Sequence, residues 1–236
     1  MARVVGEIMG QLHPHGDSAI EDTICAMGQW WNTPIPLVQK HGNFGSLKGD
    51  SHAAARYIEV ELCKFSDENF FGEWSSNITE FMPTYTGEHM EPEYLPSAMP
   101  IILCKNIFGM GYGASTGIPF FCPDEVIDLT IELIKNPKKK KVILIPDSPT
   151  GCPIVEADWE TMCSTGYGSF RYRGEAEIDE NNDIIITSIP HTTSTTGIIS
   201  KIKTMVLENK LDGIEDMIDD TDEDATSANV RIIINV

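Results

Sequence analysis

ARVVGEIMGQLHPHGDSAIED (residues 2–22) and GNFGSLKGDSHAAARY (residues 42–57) carry the most structural information in the chain. Within and beyond the first, apolar residues recur at Ile20, Ile24, Met27 and Trp31, the i, i+4, i+7, i+11 stripe of an amphipathic helix. Asp17 or Ser18 is placed to cap its start, and Ser18 with Glu21 matches the S-x-x-E capping box. HPHG is then the turn that delivers the chain into this helix. NTPIP (residues 32–36) ends it, and Leu37-Val38 is a short strand candidate. The glycine-rich HGNFGSLKGDS leads towards Tyr57 as a loop. The following YIEVEL reads equally well as a strand or a short helix.

Further along, Pro123 opens a helix pattern with Val126, Ile127, Thr130, Ile131 and Ile134 on its apolar side, stopped at Asn136-Pro137. From about residue 142 the texture turns to strands: VILI (142–145), GSFRYRGEAEI with Phe170, Tyr172, Ala176 and Ile178 alternating, and IIITSI (184–189) after the turn-like DENND. A helix is expected from Gly197 to Glu208, and VRIIINV (230–236) is a strand running to the last residue. The expected class is α+β: an α-rich unit over residues 1–120, then an α+β unit over 121–236. A strong strand ending at the last residue suggests a piece of a longer protein.

The net charge of −19 argues at first against nucleic acid, since binding to phosphates depends on cations. Its distribution softens that objection. Residues 1–65 carry five Lys/Arg (Arg3, Lys40, Lys48, Arg56, Lys64) against seven Asp/Glu, which leaves this part at −2 and the rest at −17. No run approaches the roughly 18 apolar residues of a membrane helix, and the start lacks a secretory signal's apolar centre. Six cysteines without C-x-x-C spacing suggest free thiols packing as small hydrophobes, with no structural zinc, in a reduced cytoplasmic setting.

The two opening stretches, with GYGASTGIP (111–119), resemble in order and spacing the A subunit of bacterial type IIA DNA topoisomerases, the family of DNA gyrase and topoisomerase IV. The similarity continues more thinly through IPDSPTG (145–151), TGYGSFRYRGEAEI and the C-terminal LDGIEDM…VRIIINV. The resemblance implies a winged-helix domain over 1–120 joined to an α+β tower domain over 121–236, shortened before the coiled coil and the second dimer gate. It further implies DNA breakage and rejoining, with Tyr57 forming a transient 5′-phosphotyrosyl link through which a second duplex passes. Double-stranded DNA, a homodimer of A subunits and two B subunits completing an A2B2 tetramer are the implied partners, in the nucleoid. Mg²⁺ and ATP would be bound by the B subunits, leaving no metal on this chain.

The same resemblance, read against the chemistry, distributes the roles. A phenol with a pKa of about 10 is mostly protonated at neutral pH, so Tyr57 needs help. Phosphoryl transfer builds negative charge on non-bridging oxygens, where the guanidinium of Arg56 is most useful. His15, with His13 as second choice, is the candidate to accept the phenolic proton or bond the scissile phosphate. Arg3 and Lys48 match DNA-contacting cations, and Ile118, ahead of the rigid Pro119, matches a wedge that slides between base pairs. Ser18 and Asp22 fall where the family anchors quinolone drugs and where a helix start offers amides to a phosphate.

Rival readings come from other classes. Gly109 to Ala114 fits G-x-G-x-x-A, but Gly117 and Pro119 interrupt the helix that a dinucleotide site requires. A non-catalytic DNA-binding or architectural fragment is the alternative function. Within the motifs, His52 replaces a small residue, Ala55 stands where methionine is usual, and SIPHTTST (188–195) departs from the common pattern.

Overall fold

The computed structural model describes residues 1–72, 75–224 and 226–236, and they form a mixed helix and sheet fold of the α+β class. The backbone divides into two units: Met1–Gln29 with Ile35–Gly45 and Ser51–Ile101, and Trp30–Pro34 with Ser46–Asp50 and Ile102–Val236.

In the first unit, α1 (Ala2–Gln11) and α2 (Asp17–Gly28) close over Val5, Ile20 and Ile24, with Ile8 and Val60 packed at the margin. The 3.6-residue stripe read from the sequence is therefore the buried face of α2 as far as Ile24. Its ends differ from expectation. Gly16 is the N-cap, and the Asp17 carboxylate accepts the Ser18 amide at 2.9 Å. Ser18 already lies inside the helix, so it cannot cap: capping requires a non-helical backbone. Asp17 instead places negative charge in the first turn, where the helix dipole favours it. The helix ends at Gly28, before Trp31. A side chain at residue 28 would approach Val38 Cγ2 to 3.3 Å, so glycine permits the close passage of the strand that follows.

That strand, β1 (Val38–His41), pairs antiparallel with β2 (Glu59–Leu62), Val38 facing Leu62 and His41 facing Glu59. The ladder decides the ambiguous YIEVEL in favour of a strand. A second cluster of Cys25, Phe44 and Ile58 ties α2 to the chain entering β2. Helix α3 (Lys64–Phe70) and the short antiparallel pair β3 (Phe81–Pro83) and β4 (Met90–Pro92) complete the described part of this unit.

In the second unit, β5 (Ile107–Gly111) and β6 (Ala114–Ile118) form a hairpin turned by Tyr112-Gly113, with Gly113 at φ 74°. A strand follows the glycine run, and the dinucleotide reading loses its helix. Helix α4 (Pro123–Lys135) begins and ends at the sequence signals, but of its apolar side Val126 is buried while Ile127, Ile131 and Ile134 are exposed. Residues 142–145 form no strand, because β-branched residues need a ladder partner as well as propensity. Next come β7 (Ile154–Val155), α5 (Trp159–Thr165), β8 (Arg171–Tyr172) and β9 (Glu175–Ile178). The expected long GSFRYRGEAEI strand is thus broken: β8 pairs with β7 and β9 with another partner. At the break, a Cβ on Gly174 would meet the Ser188 carbonyl oxygen at 2.7 Å.

The remaining elements are β10 (Ile184–Ser188), α6 (Thr195–Leu207), β11 (Asp216–Asp219), β12 (Asp222–Glu223), β13 (Ala228–Asn229) and β14 (Ile232–Asn235). An antiparallel sheet of order β11-β14-β10-β9 forms, and Ile232 and Ile234 alternate into a core with Trp30, Trp31, Leu47, Ile189 and Val230. Ile198 and Ile202 of α6 pack onto that core. Leu47 is held there by its neighbours' hydrogen bonds. The Thr195 and Thr196 amides at the start of α6 donate to the Leu47 and Lys48 carbonyls at 3.4 and 3.2 Å, and the Leu47 amide donates to Glu223 at 2.8 Å. Two of the helix's orphan N–H groups are satisfied in this way.

Candidate functional site

Tyr57 is the last residue of a three-residue 3-10 turn, Ala55–Tyr57, that feeds the chain into β2. Its amide donates to the Ala54 carbonyl at 2.8 Å. The residues around it are anchored by burial: Ala55 and Ile58 point inwards, Ile58 against Cys25 and Phe44. Gly42, at φ 99°, passes so close that a Cβ there would lie 2.9 Å from Ile58 Cγ2, a fit and a backbone conformation that favour glycine. With both flanks pinned, the Tyr57 ring faces solvent and is 70% exposed.

Exposure alone does not single it out, since Tyr85, Tyr112 and Tyr167 are also exposed. Among the described residues its neighbouring guanidinium does: Arg56 Cζ stands 4.6 Å from the Tyr57 ring centroid, within cation–π range. Two other nucleophilic side chains are held in their protonated forms. Burial, helped by the charges of Asp22 and Glu21, pushes the Cys25 thiol up to about 11, so it stays a protonated hydrophobe. Burial, with Asp147 nearby, likewise pushes the Tyr172 phenol up to about 12.

The other expected site residues are distributed as follows. His13 and His15 occupy the α1–α2 turn, exposed, with ring centroids 4.4 Å apart. Among the described residues no hydrogen bond or ring contact joins either imidazole to Tyr57. Arg3 lies on α1 with its side chain 90% exposed and its Nε bonded to Glu7 Oε1 at 3.0 Å. Ser18 and Asp22 sit one turn apart on the exposed face of α2. Lys48 and Ile118 belong to the second unit. Lys48 lies in the segment that carries Leu47 into the core, and Ile118 ends β6 opposite Ile107, half-buried. Burial would raise the Asp219 carboxyl, but hydrogen bonds from Thr195 and Thr221 and the charge of Lys48 hold it below the usual carboxylate range.

One residue that the sequence marked merely as a departure turns out to be connected. His52 Nε2 meets Asp22 Oδ1 at 2.9 Å, and its Nδ1 meets the Ala53 carbonyl at 2.9 Å. The Ala53 and Asp22 hydrogen bonds raise its pKa above the ordinary 6.5. A histidine where a small residue is usual was the available signal; its partner, thirty residues upstream, was not legible. Among the described residues no group of three or more His, Cys, Asp or Glu gathers as a metal site, all six cysteines are free thiols, and no helix is long and apolar enough to cross a membrane.

The family model for the A subunit of DNA gyrase and topoisomerase IV matches residues 1–236. The DNA gyrase A subunit of Synechocystis is 35% identical over 100% of this chain and 28% of its own length. That of Metamycoplasma arthritidis is 36% identical over 100% of this chain and 27% of its own. The chloroplastic/mitochondrial DNA gyrase A subunit of Arabidopsis thaliana is 33% identical over 100% and 26%. The chain thus spans under a third of the length of these curated relatives. With a match running from the first residue to the last, the chain belongs to the A-subunit family of DNA gyrase and topoisomerase IV.

Proposed function

We propose that this chain supplies the tyrosine-bearing part of a DNA gate, in which Tyr57 breaks and rejoins one strand of a duplex while a second duplex passes. The observation that carries the reading is the solvent-facing Tyr57 ring with the Arg56 guanidinium 4.6 Å from its centroid, on a turn pinned by buried neighbours. In the reaction the Tyr57 oxygen forms a bond to phosphorus and the bond from phosphorus to the DNA 3′-oxygen breaks. The phenolic proton leaves, and the released 3′-oxygen takes up a proton. Arg56 offsets the charge gathering on the phosphoryl oxygens. The ester conserves the bond energy, so rejoining is the same step reversed. His15, with His13 as the alternate, serves as the phosphate or proton partner once DNA is bound, since catalytic hydrogen bonds often close only in the complex.

In this reading the part over 1–120 is a winged-helix domain that lays α2 against DNA, and 121–236 is a tower domain beside the cleaved segment. Arg3 and Lys48 hold phosphates, Ser18 presents the start of α2 to the backbone, and Ile118 wedges between base pairs. Ser18 and Asp22 form the anchoring point for quinolone-like drugs. A homodimer of A subunits with two B subunits makes the whole enzyme, acting in the nucleoid. Mg²⁺ and ATP would be carried by the B subunit, and a metal ion held there would supply further charge stabilisation. The test is Tyr57→Phe in the full-length A subunit with B subunit, Mg²⁺ and DNA. The covalent adduct is expected to vanish while DNA binding persists; an adduct that survived would remove Tyr57 from the role.

A further inference from the structure

His52 is caught between two groups that can only accept hydrogen bonds. The Ala53 carbonyl faces Nδ1 at 2.9 Å and the Asp22 carboxylate faces Nε2 at 2.9 Å. A neutral imidazole carries one N–H and satisfies one of them. An imidazolium carries two and satisfies both. The geometry is therefore that of the charged ring, and loss of its proton must release either the loop's local bond or the bond to α2. The side chain is 21% exposed against 72% for Asp22, so the ring is the sheltered partner and the carboxylate the open one.

The position of this bond gives it its consequence. Asp22 is on α2, and His52 is five residues before Tyr57. Between them the chain is tightly held: the Ala53 amide donates to the Asn43 carbonyl at 3.0 Å, Ala53 packs against the Cys25, Phe44 and Ile58 cluster, and Tyr57 closes its turn on Ala54. Movement of residue 52 relative to α2 thus reaches the phenol with little slack. We propose that His52, in its doubly protonated form, is a positioning residue for Tyr57, clamping the segment that carries the phenol to helix α2 through Asp22.

The inference rests on the reading of Tyr57 as nucleophile. The charged groups near the ring are Asp22 and Glu21, both on α2 and both favouring the imidazolium; burial opposes them. The clamp is accordingly complete below the pKa of the folded state and lost as pH rises through it. Titration brings a pH dependence to cleavage that a purely structural contact would not.

The experiment uses full-length A subunit with B subunit, Mg²⁺ and a short duplex, following the rate of covalent adduct formation between about pH 6 and pH 9. In the wild type the maximal rate, rather than the KM for DNA, is expected to fall as pH rises through the range of His52. His52→Ala should lack that descending step and, at the acidic end, run about threefold to tenfold slower, a size suited to a half-open ion pair. His52→Gln, which can donate to Asp22 at every pH, should recover part of the rate and show no step. A His52→Ala enzyme with the wild-type step and rate overturns the proposal, as does a nitrogen-detected titration showing a singly protonated ring at about pH 6. Tyr57→Phe run alongside separates the two claims: loss of adduct there with an unchanged His52→Ala profile sinks the clamp and leaves the nucleophile standing.

Discussion

Arg56 offers two things to Tyr57, a positive charge and a flat face, and a substitution can part them. The guanidinium carbon stands 4.6 Å from the ring centroid, close enough for both its charge and its planar fork of N–H groups to act beside the phenol. Lysine keeps the charge but offers a compact ammonium on a flexible stem. Arg56→Lys should therefore lower the rate of adduct formation by about tenfold while leaving DNA affinity nearly unchanged, as the lost part is orientation at the transition state. Quench-flow measurement of the adduct beside equilibrium DNA binding reads the two separately; an equal loss in both would mean that Arg56 acts as a plain phosphate anchor. At this scale the sequence was informative where chemistry is local. Arg56 and Tyr57 are neighbours in the chain, and their contact follows from adjacency and a tight turn. His52 and Asp22 are thirty residues apart, and no periodicity or motif announces a bond that depends on where a loop folds back.

Elements were legible where their signals are internal to the segment and illegible where a partner decides. Helix α4 begins at Pro123 and ends at Lys135 because proline suits the first turn and the Asn136-Pro137 pair cannot continue it. YIEVEL could not be resolved alone; the Val38–His41 ladder resolved it. VILI has the composition of a strand and remains without one, and GSFRYRGEAEI breaks at Gly174, where the Ser188 carbonyl leaves no room for a side chain. The contact of β11 with α6 is another partner-dependent feature. Thr195 Oγ1 donates a hydrogen bond to Asp219 Oδ2, and Lys48 adds charge nearby. The folded Asp219 carboxyl is held below its usual range, so the stability it contributes is present above the unfolded carboxylate pKa and is lost as pH falls through the folded one. Asp219→Asn should thus destabilise the protein by about 1 kcal/mol at neutral pH. The difference from wild type should shrink to nothing in acid. Thermal melts across the acidic range check this, and a gap that stays constant with pH would remove the charge from the account.

On the scale of the whole chain, a net charge of −19 must coexist with a proposed grip on a polyanion. Eight acids lie between Asp212 and Asp224, whereas residues 1–65 are near balance. On the proposed reading, binding to a duplex would depend on a few cations of residues 1–65 and on whatever charge a partner brings, so this chain alone should hold DNA weakly. The salt dependence counts those cations, because each neutralised phosphate releases condensed counterions and adds about 0.9 to the slope of log affinity against log salt. Arg3 is the clearest one to count. Its side chain is 90% exposed, and its partner Glu7 is a surface ion pair one helical turn away, of the kind worth about 0.3 to 0.5 kcal/mol. Exchanging that carboxylate for a phosphate costs little. In the full-length enzyme Arg3→Ala should lower the slope by about one and weaken binding alike for all DNA sequences. Glu7→Gln, which frees the guanidinium, should tighten it. A slope unmoved by Arg3→Ala would show that the guanidinium never meets the backbone, and the orientation proposed for α1 and α2 on DNA would have to be redrawn.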